Sequence, residues 1–350
     1  MDQGFYFDCS LILDSADGWG YAREPVLAVM PDGSLLCTLL SGGPLEPDNR
    51  NVTLAVRSFD AGRTWTEPEV LFYHRSRAAY TTEIFTGGTL PLLFVQTYAA
   101  ESRYREICTF MSVTRDCGRT WSEPVSVPGP SAHVNTRHGI ILSNGDWLFP
   151  VYWQQTDRKW DWEQIPVGND IHMDWPSCCG AMISSDGGSS FHTYGDLKAQ
   201  YPLMENACVE VEAGHVVMLM RAEKSEFLYR SDSYDYGRTW SEAAVCAIPS
   251  ASSKIVLEKY EDKILLVHND VKGNQMTQRK NLSIWVSRDG MKTWVRKIPL
   301  TGEDTVMFYP HFAADKAGMI YLACENSRQS YCLRIHLDRL LEDGQDGRMA

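Results

Sequence analysis

The chain has 350 residues, of which 44% are hydrophobic and 22% are charged, so it can bury a large core and is neither disordered nor collagen-like. Its 33 Lys and Arg residues against 45 Asp and Glu residues give a net charge of -12, which argues against nucleic acids and anionic membranes as partners. Aromatic residues make up 11% of the chain, a share that suits strands and sugar-binding surfaces better than helical bundles.

The start of the chain carries neither the basic segment nor the apolar stretch of a secretory signal, and no apolar run reaches the length of about 18 residues that spans a membrane. The sequence therefore predicts a cytoplasmic protein without membrane insertion. Its 10 Cys residues are scattered without C-x-x-C pairs, which favours reduced core cysteines. No metal and no cofactor is predicted, and no oligomeric state follows from the sequence.

The predicted elements are almost all strands. The first is a strand over Phe5 to Leu13, and six apolar hairpins follow it, each with a turn at its centre. The hairpins cover residues 26–40, 83–97, 139–152, 207–220, 254–267 and 311–324, and their turns are 48 to 69 residues apart. A last strand at 331–336 and a short helix at about 337–343 follow. This spacing is typical of propeller blades with loop insertions.

An octapeptide with the pattern S-x-D-x-G-x-T-W recurs after each of the first five hairpins. Its Asp residues stand at 60, 116, 186, 235 and 289, in register with the hairpins. The copies at 184–191 and 287–294 are degraded, the second having Met291 where the pattern has Gly. Asp and Ser or Thr side chains bond nearby backbone amides and Gly takes a positive φ, so each copy predicts a tight turn between the two outer strands of a blade.

Six hairpins and five such turns predict an all-β chain folded as a six-bladed β-propeller, with one domain over residues 1–350. The sixth hairpin has no octapeptide after it, and the strand at 331–336 supplies only a third strand for its blade. We therefore expect the N-terminal strand to complete that blade and close the ring, leaving no open sheet edge.

The octapeptides, known as Asp boxes, and the hairpins between them resemble the sialidase (neuraminidase) superfamily along essentially the whole chain. The boxes indicate only the fold and lie away from the active-site face of that family, so function depends on other residues. Sialidases bind a sugar that carries a carboxylate on its anomeric carbon. Three Arg residues bind that carboxylate. A Tyr activated by a Glu serves as the nucleophile, and an Asp protonates the leaving oxygen.

The resemblance implies a role for one residue at each family position. Arg23 in Arg23-Glu24-Pro25, Arg221 after the fourth hairpin and Arg279 before an outer strand of the fifth blade match the three arginines. The family has Ile in place of Glu24, and strand alternation predicts that Glu24 points away from Arg23. Arg288, inside a box, is the less favoured third arginine.

The catalytic groups implied by the resemblance are Asp48 as the acid, Glu205 as the base and Tyr309 as the nucleophile. Glu46, in the same loop as Asp48, competes with it for the role of the acid. Glu325, at the end of the sixth hairpin, would orient Arg23.

Two segments depart from the family pattern. Arg137 and His138 lie where many sialidases have small residues, and a Trp-rich insertion covers 157–175. The neighbouring Trp153 and the insertion's Trp160, Trp162 and Trp175 either stack on sugar faces or pack in loops.

The leading function is a retaining, metal-independent exo-α-sialidase acting on a terminal sialic acid or a related 2-keto sugar acid in a sialylated or acidic glycan. One alternative is a propeller glycosidase or lyase for uronate-containing glycans, in which His138 serves as the base. Another is a carbohydrate-binding propeller without catalysis.

Overall fold

The fold is described by a computed structural model for residues 5–44, 46–102, 107–154 and 177–338. Short 3-10 helices cover Ser15–Asp17, Ala100–Ser102, Gly129–His133 and Met276–Gln278, and most other regular structure in these ranges is strand. The strands form six small antiparallel sheets arranged as a six-bladed β-propeller.

Blades 1 to 5 take their strands in chain order, from the centre of the ring outward, and blade 6 adds the N-terminal strand on its outside. Blade 1 has β2 (Arg23–Val29), β3 (Leu35–Ser41), β4 (Val52–Ser58) and β5 (Glu69–Phe72). Blade 2 has β6 (Ala78–Phe85), β7 (Leu92–Tyr98), β8 (Cys108–Val113) and β9 (Val125–Ser126). Blade 3 has β10 (Asn135–Thr136), β11 (Ile140–Ile141), β12 (Trp147–Gln154), β13 (Ser177–Ser184) and β14 (His192–Leu197).

The second half of the ring follows the same order. Blade 4 has β15 (Leu203–Glu212), β16 (His215–Ala222), β17 (Phe227–Ser233) and β18 (Ala244–Pro249). Blade 5 has β19 (Val256–Tyr260), β20 (Lys263–Asn269), β21 (Leu282–Ser287) and β22 (Arg296–Pro299). Blade 6 has β23 (Phe308–Ala314), β24 (Met319–Glu325) and β25 (Gln329–His336), and its outermost strand is β1 (Asp8–Asp14).

The pairing of β1 with β25 confirms that the N-terminal strand closes the ring. All six predicted hairpins are also confirmed, with one difference in blade 3. Its innermost strand is split into β10 and β11, which both pair with β12 and leave Arg137 and His138 between them. The predicted helix at 337–343 lies outside the described residues after its second position.

The core lies between the blades. A cluster of buried apolar residues fills each of the six interfaces between neighbouring blades. In β2 the alternation of strand side chains is visible, since Leu27 packs toward blade 6 while Val26 and Ala28 pack toward blade 2. Side chains on both faces of the strand are thus buried, which explains why the hairpins are apolar throughout.

The Asp boxes form the predicted turns between the third and fourth strands of their blades. In the first box Ser58 Oγ accepts the Gly62 N–H at 2.8 Å, and Asp60 Oδ1 accepts the Thr64 N–H at 2.9 Å. Ser58 pairs with Leu35, whereas Arg23 pairs with Leu40 at the other end of β3. The boxes therefore lie at the end of the strands opposite to Arg23.

The turn needs two consecutive left-handed residues, and this accounts for the degraded fifth box. The first box places Ala61 and Gly62 at φ 59° and 75°, whereas the fifth places Gly290 and Met291 at 70° and 65°. The fifth box thus has its glycine at the first of the two left-handed positions and Met291 at the second. The same hydrogen bond forms, with the Met291 N–H donating to Ser287 Oγ at 3.0 Å.

All ten Cys residues are free, as predicted, and six of them are buried, namely Cys37, Cys178, Cys179, Cys208, Cys324 and Cys332. Within the described ranges, no helix is long and apolar enough to cross a membrane. The single domain over 1–350 and the cytoplasmic location stay predictions.

Candidate active site

Three bulged strand ends build the site. The innermost strands of blades 1, 4 and 6 lose their pairing register between Arg23 and Val26, Met204 and Ala207, and Phe308 and His311. Within each bulge one residue has a left-handed backbone: Glu24 at φ 48°, Glu205 at 46° and Tyr309 at 53°. Non-glycine residues in this region are strained, and such strain clusters at functional sites.

The bulge determines what Glu24 contacts. Strand alternation predicts a side chain that points away from Arg23, and the left-handed backbone adds a departure from the regular strand. Glu24 Oε2 lies 3.7 Å from Arg137 Nη1 and 4.0 Å from Lys254 Nζ, residues of blades 3 and 5. Glu24 therefore belongs to the charged centre of the ring.

Tyr309 and Glu205 are in direct contact. The Tyr309 hydroxyl donates to Glu205 Oε1 at 2.8 Å. Arg221 Nη1 donates to the Tyr309 oxygen at 3.1 Å and also to Glu205 Oε2. Met204 pairs with Arg221 across β15 and β16, so the hairpin brings Glu205 and Arg221 to the same end of the blade. All three functional side chains are buried.

The charges around this pair keep the proton on the tyrosine. Burial and the neighbouring Glu205 raise the pKa of Tyr309, and Arg221 and Arg279 oppose them only in part. Burial alone would raise the pKa of Glu205, but Arg221, Arg137 and Arg279 outweigh it and lower that pKa to about 2. Near neutral pH the pair is thus a phenol donating to an ionised carboxylate, the starting state for general-base activation of the phenol.

The three predicted arginines surround Tyr309. Arg221 Nε donates to Ser252 Oγ at 3.1 Å, and Arg279 Nη2 donates to the backbone oxygen of the same residue at 2.7 Å. The Arg279 guanidinium carbon lies 5.0 Å from the centre of the Tyr309 ring. Arg23 reaches the cluster from blade 1. Burial lowers its pKa, but Glu46, Glu325 and, to a smaller extent, Tyr309 of blade 6 raise that pKa well above its ordinary value.

The arginines differ in how far protein carboxylates already neutralise them. Arg23 pairs with Glu46 at 2.5 Å and lies 3.6 Å from Glu325. Arg221 pairs with Glu205 and with Glu223, a residue that sequence reasoning missed. Arg279 makes no ion pair with any carboxylate of the described residues. Its charge is the one most available to an anionic ligand.

Glu325 stands where the resemblance places it, beside Arg23. It is fully buried, and its Oε1 accepts the Glu24 N–H at 3.0 Å while its Oε2 accepts the Ser327 N–H at 2.8 Å. One carboxylate therefore fixes both the Arg23 guanidinium and the backbone of the bulge. Burial raises its pKa to about 7, with the charge of Arg23 opposing the shift.

Glu325 predicts a pH dependence of stability. Since its ordinary pKa is 4.5 and the folded value is about 7, the folded state holds the proton more tightly, and stability present at low pH is lost as the pH rises through this window. In the parent protein this loss lowers the free energy of unfolding by roughly 3 kcal/mol as the pH rises. We expect Glu325→Gln, which cannot titrate, to lack this decline. Urea unfolding of both proteins at pH 5 and pH 8 measures it. An equal decline in both proteins would contradict this prediction.

The loop expected to carry the acid brings Glu46, rather than Asp48, to the arginines. Glu46 contacts Arg23, whereas Asp48 Oδ1 accepts Arg50 Nε at 2.9 Å and its Oδ2 accepts Arg50 Nη2 at 3.0 Å. The bonds to Arg50 lower the pKa of Asp48. This geometry gives Asp48 the properties of a turn residue, because a general acid needs a carboxyl that holds its proton.

Of the departures from the family pattern, Arg137 lies in the site. Its Nη2 donates to the Tyr152 hydroxyl at 3.0 Å and lies 3.6 Å from Glu205 Oε1. Trp153 instead packs against the apolar cluster between blades 2 and 3. Trp160, Trp162 and Trp175 lie outside the described residues, as does the whole insertion.

His138 lies in a second polar cluster with Glu83, Glu258 and His311. His138 Nε2 is 3.1 Å from Glu258 Oε2, and its Nδ1 is 3.4 Å from Glu83 Oε1. Burial lowers the pKa of His138, but Glu83 and Glu258 raise it by more, so the net pKa lies well above its ordinary range. A protonated imidazolium cannot accept a proton, and this disfavours His138 as the base of a lyase.

Glu83, His138 and His311 have the composition of a metal site, with their ligand atoms within 4.8 Å of one another. However, the Leu27 N–H donates to His311 Nδ1 at 3.2 Å, and this bond assigns the proton of the ring to Nε2. Nε2 then donates to Glu83 Oε2 at 3.3 Å and has no lone pair for an ion. The cluster therefore fits an ion pair with a supporting hydrogen bond, not a metal.

The chain is similar in sequence and in fold to known proteins. A family model described as "BNR repeat-like domain" matches residues 33–322. The chain belongs to this family. A sialidase of Bacteroides fragilis is 27% identical over 199 residues, covering 53% of this chain and 33% of that protein. A sialidase of Micromonospora viridifaciens is 26% identical over 270 residues, covering 76% of this chain and 35% of that protein.

The chain thus spans about a third of the length of the curated relatives it matches. Among solved structures, the Hadza microbial sialidase Hz136 superposes with a TM-score of 0.75 at 17% identity, covering 94% of this chain and 68% of that one. An α-L-arabinanase of Penicillium chrysogenum gives 0.62 at 13% identity, covering 95% and 98%. These structures share the fold, and together with the family and the two relatives they identify a sialidase-like BNR propeller.

Proposed function

We propose that this protein is a retaining exo-α-sialidase-type glycoside hydrolase that releases a terminal sialic acid or a related 2-keto sugar acid. The observation that carries the proposal is the hydrogen bond from Tyr309 to Glu205, made at 2.8 Å among three arginines. The relatives named as sialidases support the same chemistry.

The arginines define the substrate. Arg23, Arg221 and Arg279 would bind the carboxylate on the anomeric carbon, because planar guanidinium groups match a carboxylate with paired hydrogen bonds. A carboxylate nucleophile at that carbon would be repelled by the charge of the substrate. A neutral phenol avoids this repulsion, and sialidases are the glycosidases that use one.

The reaction then proceeds in two steps. Glu205 takes the proton of Tyr309 as the phenol oxygen attacks the anomeric carbon, the glycosidic bond breaks, and an acid protonates the leaving oxygen. Water next attacks the same carbon and gives its proton to the conjugate base of that acid, the bond to the tyrosine breaks, and the phenol recovers its proton from Glu205. Arg221, which donates to both the phenol oxygen and Glu205, would stabilise the phenolate in each step.

Hydrolysis of a fluorogenic α-sialoside tests the function directly, and a 3-fluorinated sialosyl fluoride tests the intermediate. We expect turnover, and a covalent adduct on the peptide that contains Tyr309, located by mass spectrometry. An adduct on another residue would overturn the assigned nucleophile. Absence of both turnover and adduct would overturn the hydrolase, and sugar binding retained in that case would favour a carbohydrate-binding propeller.

The general acid comes from the loop of Glu46 and Asp48, and the structure favours Glu46. A substrate carboxylate that binds Arg23 competes with Glu46 for the same guanidinium, so substrate binding frees Glu46 for the leaving oxygen. We expect Glu46→Gln to lower kcat/KM on a natural sialoside about 100-fold while sparing an aryl sialoside whose leaving group needs no proton.

Asp48→Asn is the matched variant, and we expect it to change kcat/KM on the natural sialoside less than about threefold, since Asp48 is occupied by Arg50. The opposite pattern, a loss in Asp48→Asn and none in Glu46→Gln, would restore Asp48 as the acid.

A further inference from the structure

Glu24, Arg137 and Lys254 form a group of three charges to which the proposed reaction gives no contact with the substrate. They come from blades 1, 3 and 5 and meet at the centre of the ring, with Glu24 Oε2 at 3.7 Å from Arg137 and 4.0 Å from Lys254. All three residues are less than a tenth exposed. The ammonium of Lys254 also lies 5.5 Å from the centre of the Tyr309 ring, so the group adjoins the proposed nucleophile.

Two of these charges, Glu24 and Lys254, are buried but loosely paired. Both distances exceed hydrogen-bond length, and within the described parts of the chain the Glu24 carboxylate accepts no hydrogen bond and the Lys254 ammonium donates none. Arg137 is held more firmly, since its Nη2 donates to the Tyr152 hydroxyl at 3.0 Å and lies 3.6 Å from Glu205 Oε1. Buried charges are costly unless they are hydrogen-bonded, so a set held in this state has its bonding capacity open to a ligand.

The bulge at Glu24 supports this view of the group. Its left-handed φ of 48° equals, within a few degrees, those of Glu205 and Tyr309, whose side chains form the proposed catalytic pair. The same backbone device therefore brings one residue of blade 1 to the centre. The left-handed backbone of Glu24 is strained, and strain of this kind favours a functional role for the residue.

We infer that Glu24, Arg137 and Lys254 are a subsite for free hydroxyl groups on the ring of the acidic sugar. The Glu24 carboxylate would accept a hydrogen bond from one sugar hydroxyl. The neighbouring ammonium and guanidinium would donate hydrogen bonds to the oxygen of that hydroxyl or to an adjacent hydroxyl. Hydrogen bonds to charged groups are strong. An acylamino group also offers a donor and an acceptor, but it is larger than a hydroxyl, and its methyl would lie against these buried charges and desolvate them. The subsite thus selects a 2-keto sugar acid that carries a hydroxyl where sialic acid carries its acetamido group; this rests on the proposed function.

Two aryl α-glycosides that differ only at C5 test the inference, one of N-acetylneuraminic acid and one of its deaminated analogue with a hydroxyl there. We expect kcat/KM to favour the hydroxyl substrate at least about tenfold, the effect of one hydrogen bond to a charged group. Glu24→Gln and Lys254→Met should each reduce this ratio toward one. Lys263→Met is the matched control, because Lys263 is a nearly buried lysine at the turn of the same blade, bonded to Glu261 and Asp262.

Calorimetric binding of the two free sugar acids separates the two proposals. Tighter binding of the hydroxyl acid without turnover of either glycoside supports the subsite and overturns the hydrolase. Turnover of both glycosides at a ratio near one, unchanged in the variants, overturns the subsite and leaves the hydrolase standing. Failure to bind either acid overturns the subsite. Melting curves identify a variant that has lost its fold, and Glu24→Gln, which keeps the shape of the side chain, then carries the test.

Discussion

Tyr309→Phe is expected to lower kcat by about 10³-fold or more while changing the affinity for a sialic acid analogue only a few-fold. The substitution removes the hydroxyl that donates to Glu205 at 2.8 Å and accepts from Arg221 at 3.1 Å. The ring stays, and with it the contacts to Arg279 at 5.0 Å and to Lys254 at 5.5 Å. The nucleophile is therefore lost without rearranging the anion site. Steady-state kinetics on an aryl sialoside, with inhibitor titration for the affinity, measures both quantities.

Tyr321→Phe is the control for this change. Tyr321 belongs to the same blade, but its hydroxyl bonds Asp315 at 3.0 Å, near the turn at the other end of the strands. We expect this variant to retain full turnover. Equal activity of Tyr309→Phe and the parent protein would reject the tyrosine nucleophile, and with it the retaining mechanism proposed for this propeller.

The fold could be predicted because its signals are local and repeated. The hydrogen bonds of each Asp box form within its own eight residues, so the box can be recognised from the sequence without knowledge of the tertiary structure. The hairpins were equally visible, since both faces of a blade are buried and the strands are apolar throughout. Even the closure of the ring followed from counting, because the last blade lacked a strand that only the N-terminal segment could supply.

The contacts of the site were less accessible to sequence reasoning. The order of Glu205, Arg221 and Tyr309 along the chain indicated the family, and the structure brings these three side chains into contact. The contacts of Glu24 with Arg137 and Lys254 could not be predicted, because the alternation rule assumes a regular backbone and the bulge departs from it. One signal was present: Glu24 and Tyr309 are each followed by Pro, which cannot donate to a ladder hydrogen bond and so favours a bulge there.

Lys254 and the Glu83 cluster had no such signal. Lys254 was visible only as the first residue of the fifth hairpin, and nothing in its neighbourhood marks it as central. Glu83, His138 and His311 come from blades 2, 3 and 6, so only the closed ring brings them together. Likewise, Asp48 and Glu46 are two residues apart, and the choice between them depends on which one the loop directs to Arg23.

The arginine with the largest expected effect on binding is Arg279. Arg23 and Arg221 are each paired with two carboxylates of the protein, whereas Arg279 has no such partner among the described residues and is held by the backbone oxygen of Ser252 at 2.7 Å. Arg279 therefore supplies most of the positive charge that the protein leaves uncompensated for a substrate carboxylate.

We expect Arg279→Ala to weaken binding of a sialic acid analogue by about 2 kcal/mol or more, roughly 30-fold, because one charge-assisted paired contact is lost. Arg279→Lys should recover only part of this loss, since an ammonium keeps the charge but cannot present the planar fork of a guanidinium. Arg288→Ala is the control, as Arg288 is an exposed arginine of the fifth box, at the opposite end of the strands. Isothermal titration of the three variants decides the matter. Unaltered affinity in Arg279→Ala would move the anion site to other residues, because no other arginine of the proposed three offers a charge that the protein has left unpaired.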